Sequence, residues 1–348
     1  MARVVRFTSP GHAEVVEIED EPVRADEVRI ETVYSGISAG TELTAYRGSN
    51  PYLTSEWDAE RRLFVRGEST HAYPLDGWGY EEVGWVSSVG RDVDSDLVGE
   101  LVWGAWGHRS SVVRPADWVR PRLLPPKSSP WAGVFAKIGA IALNAVLDAD
   151  IHVGETVVVF GAGVPGQIVA QLARLNGGRV VVVDLETARR DLALELGATL
   201  ALDPASDDVA ERVREITGNR GADVVIEMSG SYHALHEAVR TAAYSSRVVV
   251  GGFFQGDAVP VRLGEEFHHN RISIVGSQIS GVAPALQHRW DELRMSGTVL
   301  DLELSGQLRL RELVTHTFAA DDAPAAFEML DRATQPALQV VLDYGASA

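Results

Sequence analysis

Three glycines and an acid are the first residues here whose types and spacing suit chemistry. Gly161, Gly163 and Gly166 follow the apolar, β-branched run Val157–Phe160, and Asp184 ends a second such run 23 residues after Gly161. Gly161 permits a tight turn, Gly163 lets the backbone approach a pyrophosphate, and Gly166 lets a helix pack closely on the strand. Free N–H groups at the start of that helix suit an anion. Asp184 is placed to accept hydrogen bonds from a ribose 2′-hydroxyl, and a carboxylate there repels a 2′-phosphate, so the pattern favours NAD(H) over NADP(H). The expected cofactor-binding set is Gly161, Gly163, Val164, Pro165, Gly166, Asp184 and Arg189.

Those residues need a strand, a helix and a second strand in that order. From Gln167 the apolar residues Ile168, Ala170, Leu172 and Leu175 take helical spacing until Asn176-Gly177-Gly178 stops it, and Val180–Val183 reads as the next strand. Beyond Asp184 the alternation continues through Ala188–Leu196, Leu200–Leu202, Val209–Thr217, Asp223–Glu227, Tyr232–Ala243, Arg247–Val250 and Ile272–Val275, which predicts a doubly wound parallel sheet. Residues 1–128 read instead as short strands at Arg3–Phe7, Ala13–Ile18, Glu27–Tyr34, Val83–Val89, Leu101–Trp103 and Ser110–Val113, a barrel-like β domain. Between Gly48 and Gly79 lies a long, weakly patterned stretch with Trp57, Arg61 and Trp78, either a binding loop or a surface excursion with a small helix near Glu56–Leu63. Four prolines in Pro121–Pro130 mark a change of domain, and an Ala-rich helix is expected over Trp131–Asp148. Further helices are expected at Ala283–Met295 and Ala323–Ala333, and the last strand, Leu338–Asp343, is expected to return to the first domain. The division is thus residues 1–128 with 281–348, around 129–280.

The 348 residues suit two domains, and a 45% hydrophobic, 23% charged composition is that of an ordinary globular protein. A formal charge of −18 argues against nucleic acid or an anionic membrane as partner. With no cysteine there are no disulfides, thiolate nucleophiles or cysteine-ligated metals. The N-terminus reads as a strand, not a signal peptide, and no apolar run has the length of a membrane span, so a cytoplasmic location is expected.

The order of parts resembles the medium-chain dehydrogenase/reductase superfamily over nearly the whole chain. The resemblance is carried by Tyr34-Ser35-Gly36-Ile37-Ser38-Ala39-Gly40-Thr41-Glu42, Gly79-Tyr80-Glu81-Glu82-Val83-Gly84, Val98-Gly99-Glu100-Leu101-Val102 and the glycine loop. Leu196-Gly197-Ala198, Gly221-Ala222-Asp223-Val224-Val225, and Thr315-His316-Thr317-Phe318 followed by Asp322-Ala323-Pro324-Ala325-Ala326-Phe327 add to it. It implies an α/β chain with a discontinuous chaperonin-10-like β-barrel domain and a Rossmann domain, and is nearest to the threonine and sorbitol dehydrogenase branch and its zinc-lacking relatives. It also implies a homodimer joined through the edge strand of the nucleotide domain, Ile272–Ser277, acting on a small-molecule substrate.

The departures bear on mechanism. Zinc-dependent members of the superfamily hold the metal on a cysteine, a histidine and a further cysteine or acid; Ser38 stands for the first, Tyr80 for the second, and an ungapped count puts the third near Ala136, beside Lys137. Hydroxyls are poor ligands for Zn²⁺, and only Glu81 remains a good one, so no metal is expected. Without a Lewis acid, a positioned acid or base must take the hydroxyl proton. The expected catalytic group is Tyr80, made more acidic by Lys137 as a nearby cation, with Glu81 as orienter or base, Ser38 and Thr41 as relay or substrate hydrogen bonders, and His108 as a general base near the substrate. Packing, turn-forming and solvated roles are the alternatives for each. The resulting expectation is a zinc-independent NAD(H)-dependent oxidoreductase interconverting a secondary alcohol and a ketone on a polyol, sugar or cyclitol-like molecule. A zinc-free quinone or enone reductase, and a non-catalytic NAD-binding protein, remain alternatives.

Overall fold

Runs of β-branched residues buried on both faces, alternating with amphipathic helices, build the larger sheet of the computed structural model, which describes residues 1–67 and 69–346. The chain forms two units, Met1–Lys137 with the chain from Val314 onward, and Ile138–Leu313.

In the second unit six parallel strands lie in the spatial order Leu200–Leu202, Arg179–Val183, Thr156–Phe160, Ala222–Glu227, Ala242–Val250, Ser273–Gly276. Numbered along the chain this is the order 3-2-1-4-5-6 of the dinucleotide-binding fold, whose ligands sit beyond the carboxyl ends of the strands where the order reverses. That switch point lies between Thr156–Phe160 and Ala222–Glu227. The four apolar strand residues Val157, Val158, Val159 and Phe160 are fully enclosed, as a two-sided parallel sheet requires.

The first unit is mainly antiparallel. Its main sheet runs Val314–Ala319, Gln339–Asp343, Glu27–Ile37, Glu81–Val89, Leu101–Gly104, and Ser111–Pro115 also pairs with Glu27–Ile37. The last strand does return to this unit, with Val341 opposite Gly36. A smaller sheet joins His12–Ile18, Ala2–Ser9 and Leu75–Asp76. Phe7, Tyr46 and Phe327 form an aromatic core, Phe7 and Phe327 meeting edge to face at 4.9 Å between ring centres. No helix among the described residues is long and apolar enough to cross a membrane.

The boundaries fall at Lys137 and Leu313 rather than at 128 and 280. The short helix Pro130–Val134 follows the prolines but belongs to the first unit, because Gly133 lies so close to Val83 that a Cβ would meet Val83 Cγ2 at 2.6 Å. Likewise the helix Glu292–Leu304 packs Val299 on Gly139 within the second unit. That helix also replaces the one expected over Ala283–Met295: it starts after Asp291, whose side chain accepts from Arg294 N at 2.8 Å, an N-cap that the apolar spacing alone does not reveal. The expected helix near Glu56–Leu63 is a hairpin, Ser55–Asp58 against Leu63–Arg66. Its turn is set by Asp58, which accepts from Arg61 N at 2.8 Å, and by Arg62 with φ of 54°.

Candidate active site

The glycine loop is shaped by backbone contacts. Gly161 turns at φ of 88°, and a Cβ on Gly166 would sit 1.8 Å from the Gly161 carbonyl oxygen, so only glycine lets the helix Val164–Leu175 begin this close to the strand. Gly163 differs: its Cβ would meet nothing nearer than Pro165 Cδ at 4.0 Å. It caps the helix with no side-chain hydrogen bond, and Val164 and Pro165 form the first turn. The helix start therefore offers N–H groups and a positive dipole end to open space, the arrangement a pyrophosphate fits.

Asp184 anchors this loop. Its Oδ2 accepts from Ala162 N at 2.6 Å and its Oδ1 from Glu186 N at 2.8 Å, while the Arg189 guanidinium lies 3.9 Å from Oδ2. Each carboxylate oxygen retains a lone pair for a ribose hydroxyl. Gln167, which the sequence reading did not single out, donates to Arg189 O at 2.8 Å and to Ala162 O at 3.3 Å, fastening the helix to both.

In the first unit the strand Glu27–Ile37 ends at Ser38, which starts the helix Ala39–Arg47. Ser38 Oγ is hydrogen-bonded to Tyr80 Oη. The Ser38 N–H donates to Glu42 Oε1 at 2.8 Å, so a carboxylate from the helix itself closes its own N-terminus. Glu42 Oε2 meets His108 Nε2 at 2.6 Å, His108 Nδ1 meets Ser35 Oγ at 2.8 Å, and Ser35 Oγ lies 3.4 Å from Tyr344 Oη. His108 is held in place by its backbone N–H, which donates to Trp78 O at 2.9 Å. Beside this chain, Glu82 Oε2 accepts from Trp106 N at 2.7 Å, whereas Glu82 Oε1 and Glu81 Oε2 are buried with no hydrogen-bond partner among the described residues. Glycine makes the room: a Cβ on Gly36 would lie 2.5 Å from Glu81 Oε2, and one on Gly79 would lie 2.7 Å from Glu82 Oε1 and 3.1 Å from His108 Nε2.

Three carboxyl groups and an imidazole are thus buried together, each at most 1% exposed. Burial, joined by the charges of Glu42 and Glu82, holds Glu81 well above the usual carboxylate range. Burial also raises Glu82, against the opposing pull of His108, to about 7. For His108 burial disfavours the imidazolium, but the charge and hydrogen bond of Glu42 and the charge of Glu82 outweigh it, and the net displacement is upward. The Tyr80 phenol moves up too, through burial and then the Glu81 charge, with the Ser38 and Thr41 hydroxyls offsetting part of the rise. This corrects the acidification of Tyr80 by a cation expected from sequence: the phenol is displaced the other way, which suits a neutral proton donor.

Of the expected site residues, Ser38, Thr41, Tyr80, Glu81 and His108 are therefore neighbours, with His108 enclosed as a link between Glu42 and Ser35 rather than open to solvent. Lys137 is half-buried in the first turn of the helix Ala136–Ala149. Trp57 packs on Phe64 across the hairpin at 5.0 Å, and Arg61 pairs with Asp58 at 2.6 Å. Sequence reasoning gave Glu42, Glu82, Ser35 and Tyr344 no role. The one available signal was the adjacent pair Glu81-Glu82 opening an apolar strand: both are buried because that strand is covered on both faces. Among the described residues no group of three or more His, Asp or Glu side chains is placed to hold a metal ion.

Comparison with known proteins gives three kinds of match. A model of the family described as zinc-binding dehydrogenase matches residues 163–295. A D-guloside 3-dehydrogenase of Shigella flexneri is 32% identical over 330 residues, covering 92% of this chain and 93% of the relative. An L-threonine 3-dehydrogenase of Anaeromyxobacter sp. (strain K) is 28% identical over 326 residues, 81% of this chain and 89% of the relative. Among solved structures, 2R,3R-butanediol dehydrogenase from Bacillus subtilis superposes with a TM-score of 0.78 over 99% of both chains at 21% identity, a likeness of fold.

Proposed function

Because the chain belongs to the zinc-binding dehydrogenase family of the medium-chain dehydrogenase/reductase superfamily, we propose that it oxidises a secondary alcohol on a carbohydrate-like small molecule with NAD⁺ and without zinc. It is an alcohol dehydrogenase-like oxidoreductase. The observation that carries the substrate class is the near full-length similarity to a D-guloside 3-dehydrogenase, whose name places the reaction on a ring hydroxyl of a glycoside.

Gly161, Gly163, Gly166 and Asp184 would hold the dinucleotide, whose nicotinamide would supply the acceptor for the carbinol hydride. The chain's own residues take the proton: the alcohol O–H bond breaks, and the proton passes by way of the Ser38–Tyr80 hydroxyl pair to a carboxylate of the adjoining cluster, with Glu81 foremost. A carboxyl group displaced well above its ordinary range is the stronger base for this step, and its neutral form is the acid for the reverse reduction. Ser38 and Tyr80 take the place of ligands without supplying a thiolate or imidazole, which is the support for a metal-free mechanism. Asp184 supports NAD⁺ over NADP⁺, since a 2′-phosphate would be repelled by its carboxylate. A homodimer is proposed through Ser273–Gly276, the edge strand of the parallel sheet, and a sedimentation mass of one chain refutes it.

The test is turnover of a panel of glycosides and polyols. We expect NAD⁺-dependent oxidation of at least one, unaffected by a chelator, and a fall in kcat of about 10²-fold in both Tyr80→Phe and Glu81→Gln. Activity lost to the chelator and restored by added zinc overturns the metal-free reading, and tighter binding of NADPH than NADH overturns the cofactor assignment.

A further inference from the structure

The buried carboxyl cluster presents a problem that the reaction alone does not solve. Any proton it takes up must reach water, yet Glu42, Glu81, Glu82 and His108 are sealed from solvent. The hydrogen bonds on one side of His108 lead outward. We propose that His108, Ser35 and Tyr344 form a proton path connecting the buried carboxyl groups of Glu42 and Glu82 to the surface of the first unit.

The links are continuous. Glu42 Oε2 and His108 Nε2 are 2.6 Å apart, His108 Nδ1 and Ser35 Oγ 2.8 Å, and Ser35 Oγ and Tyr344 Oη 3.4 Å. Tyr344 lines an open cavity of about 370 Å³ with Arg3, Phe318, Asp321 and Asp343. Glu82 lies beside the path: a Cβ on Gly79 would meet Glu82 Oε1 at 2.7 Å and His108 Nε2 at 3.1 Å, and the Glu82 charge acts on His108. Ser35 sits where a proton path needs a hydroxyl: fully buried, between an imidazole and a phenol, able to donate to one while accepting from the other.

One proton crosses as follows. A proton arriving at His108 Nε2 from a carboxyl group leaves an imidazolium; its Nδ1–H bond breaks as Ser35 Oγ takes that proton, Ser35 gives its own to Tyr344, and Tyr344 gives its own to cavity water. The imidazole is left as the other tautomer, and rotation of the two hydroxyls with a proton shift on the ring restores the start. No electron moves. The groups facing His108 from the packed elements are Glu42 and Glu82, both favouring the imidazolium. Burial raises the Tyr344 phenol, the charges of Glu82 and Glu42 add to the rise, and the Ser35 hydroxyl and Arg3 offset only part of it, which keeps the phenol a neutral hydroxyl able to pass a proton on.

The path rests on the proposed proton chemistry of the cluster, but its test needs neither substrate nor cofactor. The purified protein is transferred to D₂O near neutral pH, and the infrared C=O stretch of its buried carboxylic acids is followed as it shifts on deuteration. We expect the wild-type band to shift at least about tenfold faster than that of Ser35→Ala or of Tyr344→Phe, which keeps the ring in place, with backbone amide exchange of the strand Glu81–Val89 unchanged. Equal rates in wild type and both variants overturn the path, as does the absence of any protonated carboxyl band from the wild type. Should Ser35→Ala loosen the sheet and quicken its amides, Tyr344→Phe decides. A slowed band together with no alcohol turnover would keep the path and discard the reaction.

Discussion

The chain passes from a strand into a helix at Phe160–Val164 and again at Ile37–Ala39, and the two corners treat the positive end of a helix in opposite ways. At Gly163 the corner is bare: the capping residue has no side chain, and the space its Cβ would enter is empty. At Ser38 the corner is filled, the serine hydroxyl going to Tyr80 and the Glu42 carboxylate returning to the Ser38 N–H at 2.8 Å. An open helix start is a seat for an anion from outside the protein. A closed one fixes a carboxylate belonging to the protein, and here that carboxylate positions a buried histidine. On the proposed function, the first corner binds the dinucleotide and the second organises proton-carrying groups.

The closed corner should be the more fragile. Removing one partner of a buried, hydrogen-bonded charge pair leaves the other without compensation. Glu42→Ala strips both His108 Nε2 and the Ser38 N–H of their acceptor at once. We expect a loss of about 4 kcal/mol in urea unfolding, with NADH affinity of the folded protein within about threefold of wild type. A loss below about 1 kcal/mol would mean that the corner is not organised by its carboxylate.

The same contrast explains what could be read from the sequence. The bare corner was legible because its signal is an absence of side chains at fixed spacing, flanked by a strand, a helix and Asp184, all local in the chain. The parallel sheet, though not its strand order, and the return of the strand Gln339–Asp343 followed from similar local patterns and from the resemblance. The filled corner was half legible. Ser38 and Tyr80 stood out as departures from the family's ligands and Glu81 as the one good ligand left, but Glu42 acquires its role from His108, 66 residues away, and Ser35 from Tyr344, 309 residues away. Glu82 was passed over because alternation along a half-exposed strand would turn one of two neighbouring glutamates outward, and this strand has no outward side at its start. The direction of the Tyr80 displacement depends on the same enclosure.

The pH dependence of stability sharpens the comparison next. Glu82 is raised from an ordinary 4.5 to about 7, so between those values the folded chain keeps a proton that the unfolded chain releases, and stability falls as pH rises. His108 acts in the same direction: its folded value lies above the ordinary 6.5, so the stability it contributes is complete below that and is lost as pH rises through the folded value. Across pH 4.5 to 8 the Glu82 part is on the order of 3 kcal/mol. Glu82→Gln, neutral throughout, should remove the Glu82 part of the fall in melting temperature over this range and leave the parts of His108 and of Glu81, which is raised in the same sense. An unaltered slope would place the titrating group elsewhere.

The last test exchanges the corners. Gly163 has φ of −66° and ψ of −176°, ordinary extended backbone, and its Cβ would clash with nothing, so Gly163→Asp is accommodated without strain. The new carboxylate would accept from the free N–H groups of the first turn, closing this helix start as Glu42 closes the other. Aspartate at an N-cap contributes about 1 kcal/mol, so the variant should melt slightly higher than wild type. It should also bind NADH at least about 100-fold more weakly, because a fixed negative charge now occupies the place of the pyrophosphate, whereas Gly163→Ala, which adds volume without charge or an acceptor, should lose much less. Calorimetric titration with NADH beside thermal melting reads both effects on one sample. If Gly163→Asp were stabilised and still bound NADH like the wild type, the dinucleotide would not be held by this helix start, and the division between a binding corner and an organising one would fail at its simpler end.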